Sequence, residues 1–99
     1  MIREVVLSKR AGKRLDILLN YLEENWSKKV KQDFIDKLDR AIEVIQLNPD
    51  SFPVSTKKKK KVHRCVVAKQ NTIYYRYNSK RIEIIFVFDT RQNPKSNQY

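Results

Sequence analysis

The chain's only histidine, His63, stands in the run STKKKKKVHRC, behind Lys57, Lys58, Lys59, Lys60 and Lys61 and directly before Arg64 and the only cysteine, Cys65. Histidine is the one side chain whose ordinary titration range lies near neutrality, so His63 is the natural candidate for a general base. Five lysines and an arginine beside it supply positive charge for a phosphate or a carboxylate. Three uses of the stretch follow: a solvated linker, a grip on an anionic partner, or part of a catalytic centre. A single histidine on a strand is more often structural or simply exposed, and that reading is the stronger one for His63.

Arg91 and Arg76 raise the same choice. Arg91 can clamp a phosphate, receive a partner's carboxylate, or pair with Asp89 or Glu83. Arg76 falls opposite Glu83 if Tyr77 and Ile82 flank a tight turn, so a cross-strand pair is its default. Tyr74 offers a ring on which a base could stack, although aromatic residues are common in strands for packing alone. Trp26 reads as a core or staple residue. Asp33, Asp36 and Asp39 recur every three residues and form a solvated helical stripe beside Lys37 and Arg40. The sequence holds no metal-ligand cluster, glycine-rich phosphate loop or hydrolase triad, so neither a metal nor another cofactor is expected. Cys65, being alone, makes no internal disulfide and reads as a small buried apolar residue.

These residues belong to a chain of 99 residues, enough for one domain spanning 1–99 with one modest core. Its formal charge is +11, and the distribution is lopsided: residues 1–50 hold ten Lys/Arg against nine Asp/Glu, residues 51–99 twelve against two. The second half therefore asks for an anionic partner, such as nucleic acid, the ribosome or an acidic protein segment. The longest apolar run, Ile84 to Phe88, falls far short of the roughly 20 residues of a membrane span. The start MIREVVLSKR has no apolar signal core, no lipidation motif is present, and a cytoplasmic protein without membrane attachment is expected.

Ile2 to Leu7 reads as a first strand. Ser8 caps a helix from Lys9 to about Asn25, whose apolar residues Ala11, Leu15, Leu18, Leu19, Leu22 and Trp26 recur at spacings of three and four. Ser27 caps a second helix, carried by Val30, Phe34, Leu38, Ala41, Ile42 and Ile45 to about Leu47, where Asn48-Pro49 stops it. Three strands follow at Val62 to Ala68, Ile73 to Tyr77 and Ile82 to Phe88. Alternation places Ile73, Tyr75, Tyr77, Ile82, Ile84, Phe86 and Phe88 toward the helices, and Tyr74, Arg76, Glu83, Ile85 and Val87 on the other face. The expected fold is α+β, in the order β-α-α-β-β-β, with a helix hairpin on one face of a small, mainly antiparallel sheet. The uncovered face, rimmed by the lysine run, His63, Arg64 and Arg91, becomes the expected functional surface.

Three segments carry a resemblance: VVLSKRAGKRLDILLNYLEENWS, FIDKLDRAIEVIQLNP and TIYYRYNSKRIEIIFVFDTRQNP. The last is the most specific, with an Ile-x-Tyr-Arg strand, a short turn, an Ile-x-Ile strand and a closing Asp-x-Arg-x-x-Pro. Together they resemble the RelE/ParE superfamily of bacterial type II toxins, nearer its ParE-like branch. The resemblance implies a toxin neutralised by a cognate antitoxin whose acidic or amphipathic segment wraps it. It also implies one of two targets. ParE-like members poison DNA gyrase by binding; RelE-like members cleave mRNA on the ribosome without a metal.

Metal-free cleavage would need a base for the 2′-hydroxyl, positive charge on the phosphate and an acid for the leaving oxygen. His63, Arg64 and Arg91 are the candidates, with the lysines nearby. Yet Ile73 stands where RelE-like toxins carry a middle-strand arginine, with Arg76 three residues on, and Tyr99 matches their C-terminal tyrosine only loosely. The ParE-like reading leads, the endonuclease is the alternative, and a nontoxic nucleic-acid-binding module is a third. Self-association stays open on these grounds.

Overall fold

The computed structural model describes residues 2–56 and 61–91. The elements run β1 (Glu4–Leu7), α1 (Lys9–Asn25), α2 (Lys28–Leu47), a short 3-10 turn (Pro49–Ser51), β2 (Val54–Thr56), β3 (Val62–Ala68), β4 (Asn71–Tyr77) and β5 (Arg81–Asp89). This is the expected α+β arrangement with one strand added. β2, three residues long, follows the proline turn and pairs with β3. The sheet order is β1-β5-β4-β3-β2, antiparallel except that β1 lies parallel to β5.

Both helices start where a serine can satisfy a free backbone amide. Ser8 accepts from the amide of Ala11 at 3.0 Å and Ser27 from that of Val30 at 3.1 Å. The chain turns between the helices within two residues, the amides of Trp26 and Ser27 both donating to the Leu22 carbonyl. Asn48-Pro49 ends α2, since proline disfavours helical geometry in the residue before it. No helix among the described residues is long and apolar enough to cross a membrane.

Ala11, Leu18 and Leu22 of α1, with Phe34, Leu38 and Ile45 of α2, pack against Cys65, Ile73, Tyr75, Ile82, Ile84 and Val87 of the sheet. Each fully buried large aliphatic side chain contributes roughly 1.5–3 kcal/mol. Cys65 behaves as the small apolar residue expected of it, and burial pushes its thiol up to about 11.

Two expectations about side-chain direction fail. Tyr75 pairs with Ile84, but Tyr74 pairs with Phe86, so Ile85 is an extra residue in β5. Such a bulge reverses the alternation beyond it. Val87, opposite Ile73, joins the core, while Phe86 and Phe88, opposite Tyr74 and Thr72, turn to the face away from the helices. Trp26, read as a core or staple residue, is 61% exposed at the hairpin turn. The two-residue turn places it past the end of the packed stripe.

Candidate functional site

The face left open by the helices is organised around a cross-strand row. Arg64 on β3 stands opposite Tyr74 on β4, which stands opposite Phe86 on β5. The rings of Tyr74 and Phe86 are 6.3 Å apart and tilted by 41°. Beyond Phe86 the sheet ends, because β1 stops at Leu7, and the first turns of α1 occupy the edge. From there Arg10 lays its guanidinium 4.4 Å over the Phe86 ring, with Arg14 at 6.0 Å. Phe86 is fully covered; Arg64 is exposed and makes no ion pair among the described residues. Arg10 and Arg14 escaped the reading from sequence. Their signal was the spacing of four, which puts two cations on one helix face.

Arg76 forms its expected pair with Glu83, with Nε 2.6 Å from the carboxylate. Both side chains are partly exposed, so the pair contributes little, up to about 1 kcal/mol. Lys61 lies exposed just ahead of β3. Lys57, Lys58, Lys59 and Lys60 lie outside the described residues.

His63 is not on this face. It pairs with Tyr75, and so points to the helix side, where it is 3% exposed. Its Nδ1 donates to the carbonyl of Phe52 at 2.8 Å; a carbonyl has no proton to give, which fixes the proton on Nδ1. The imidazole stacks on Tyr75 at 5.2 Å between centroids and 17° between planes, and lies 5.5 Å from Tyr77. The Tyr75 hydroxyl donates to the Pro49 carbonyl at 2.6 Å, and that of Tyr77 to the Asp50 carboxylate. These bonds fasten the proline turn to the sheet. Burial raises Tyr75 above the ordinary range of a phenol, and the hydrogen bond to Asp50 raises Tyr77. His63 is thus a structural member of an aromatic cluster, and the alternation that put Arg64 outward necessarily puts it inward.

Arg91 also takes its structural option. Its Nε donates to Asp89 Oδ1 at 3.0 Å and its terminal nitrogen to Asp89 Oδ2 at 3.3 Å, a two-pronged pair with a carboxylate that is 1% exposed. The same terminal nitrogen reaches Asn71 Oδ1 at 3.4 Å, and the guanidinium lies 5.5 Å from the Tyr21 ring centre. Beside it, Trp26, Val30, Leu22, Phe34 and Ala68 line an open groove of about 400 Å³. Among the described residues, no cluster of three or more His, Cys, Asp or Glu could hold a metal ion. Asp33, Asp36 and Asp39 are exposed, and Asp33 pairs with Lys29 at 3.1 Å.

The open face therefore keeps Arg64, Tyr74 and Arg76 together with Arg10 and Arg14, whereas His63 and Arg91 serve two separate internal clusters. No curated protein matches the sequence. Among solved structures the chain is similar to one described as the chromosomal ParDE TA system from P. aeruginosa, with a TM-score of 0.69 at 10% identity, over 89% of this chain and 96% of that one. At that identity the likeness concerns the fold. The family model described as the ParE toxin of the type II toxin-antitoxin system, parDE, matches residues 5–94. With nearly its whole length matched, the chain belongs to the ParE toxin family of type II toxin-antitoxin systems.

Proposed function

We infer that this toxin acts by binding, that its target is DNA gyrase or a related topoisomerase in the cytoplasm, and that its cognate antitoxin neutralises it. Family membership supports the toxin and antitoxin roles. The observation that carries the binding mode is the separation of the acid-base candidates. His63 stands opposite Tyr75, and Arg91 follows Asp89, which stands opposite Asn71. Those pairings stand four residues apart along β4, roughly 13 Å at 3.3 Å per residue. Proton transfer needs heavy atoms at about 3 Å, and a phosphate held by one of these residues is out of reach of the other. Among the described residues His63 and Arg91 stand too far apart to serve one bond, which supports recognition of a surface over cleavage.

Purified toxin is expected to inhibit gyrase supercoiling and to accumulate gyrase-dependent DNA breaks at doses that arrest growth, with the antitoxin reversing both. Gyrase left untouched at those doses would overturn the target. Transcripts cut in a translating extract, and left intact by His63→Ala, would establish the RelE-like endonuclease instead.

A further inference from the structure

Across the open face the row Arg64, Tyr74, Phe86 and Arg10 reads cation, ring, ring, cation. Its members come from β3, β4, β5 and α1, so the row joins parts of the chain with no local reason to match. Phe86 is sealed beneath Arg10, but Tyr74 is only half-buried and Arg64 is exposed beside it. Strands β3 to β5 bring one carboxylate to this face, Glu83, already taken by Arg76 at 2.6 Å. The rest of the face is net positive.

We propose that this face binds single-stranded DNA, with an unstacked base on Tyr74, a backbone phosphate on Arg64, and Arg10 and Arg14 continuing the positive track past Phe86. Guanidinium groups interleaved with an accessible ring are the combination that single strands use, because every base has a flat face and every linkage a charge. A duplex keeps its base faces stacked inside, out of reach of Tyr74. An acidic peptide would satisfy the arginines but leaves the central ring unused. The choice of DNA over RNA rests on the gyrase reading.

The test is fluorescence anisotropy of purified toxin with a labelled oligo-dT strand, its annealed duplex, an oligo-U strand and a polyglutamate peptide. Binding to the DNA strand is expected to exceed binding to the duplex and to weaken as salt rises. Tyr74→Ala should lower affinity roughly 5- to 150-fold while Tyr74→Phe stays near wild type. Arg64→Gln should reduce the slope of log affinity against log salt by about 0.7. Melting curves on each variant separate lost contacts from lost fold.

No binding at low salt, Tyr74→Ala indistinguishable from wild type, equal binding of duplex, preference for oligo-U, or displacement by polyglutamate at equal charge would each overturn the proposal. Gyrase left untouched while the DNA strand still binds sinks the target reading alone.

Discussion

The hydroxyl of Ser8 donates to the carbonyl of Ile85 across 3.1 Å, tying the cap of α1 to the residue that bulges out of β5. The same oxygen accepts from the Ala11 amide at 3.0 Å, and the Ser8 amide donates to Ile84 at 2.9 Å. A bulge strands a backbone group, and here Ser8 receives it. The reversal that carries Phe86 to the open face thus depends on a helix cap. Ser8→Ala should cost about 2 kcal/mol, combining a lost cap with an unpartnered carbonyl. Ser27→Ala, which loses an exposed cap alone, should cost about 1 kcal/mol or less. Urea midpoints of the two variants test the order.

His63→Ala removes the partner of the Phe52 carbonyl and one face of the Tyr75 stack. A loss of about 2 kcal/mol is expected. Growth arrest should persist at temperatures where the variant is folded. Arrest abolished in a variant that still melts cooperatively would give His63 a chemical role.

Arg91→Ala would remove the two-pronged side-chain pair from the buried Asp89 carboxylate, at a cost of about 3 kcal/mol. Replacing both, as Asp89→Leu with Arg91→Met, should recover part of that, because the buried carboxylate goes with its arginine. A thermal-melt comparison of the single and double variants decides whether Arg91 is first a structural residue.

Alkaline pH should destabilise the protein through Cys65. Its thiol is raised from 9.0 to about 11 by burial, so the folded state holds a proton that the unfolded chain releases. The stability from this group is whole below pH 9 and falls away between about pH 9 and pH 11. The total is about 3 kcal/mol. Tyr75, also raised by burial, adds to the loss at higher pH. Chemical denaturation across that range should show a steeper decline for the wild type than for Cys65→Ala.

Helix limits, both serine caps, the proline stop and the Arg76–Glu83 pair were legible because each rests on neighbours close in sequence or on the register of one hairpin, whereas Asp89 was only one of several partners open to Arg91. What alternation could not reveal is the extra residue in IEIIFVF, where a run of apolar side chains hides which one is displaced. The burial of His63 depends on Phe52, eleven positions earlier, brought back by a strand of three residues too short to announce itself. Arg10 and Arg14 lie off the apolar stripe of α1, and reach the open face only because β1 ends before β5 does.

That early end of β1 belongs to a longer-range dependence. Among the described residues the strand pairs with β5, and their contact spans about 77 positions of sequence. Chains are made at about 5–20 residues per second, so the first strand waits on the order of ten seconds for the last to emerge. Until then the row across the open face has no Phe86 to hold Arg10. Strand order thus acts as a clock: the row across the open face comes into being only once β5 has been made.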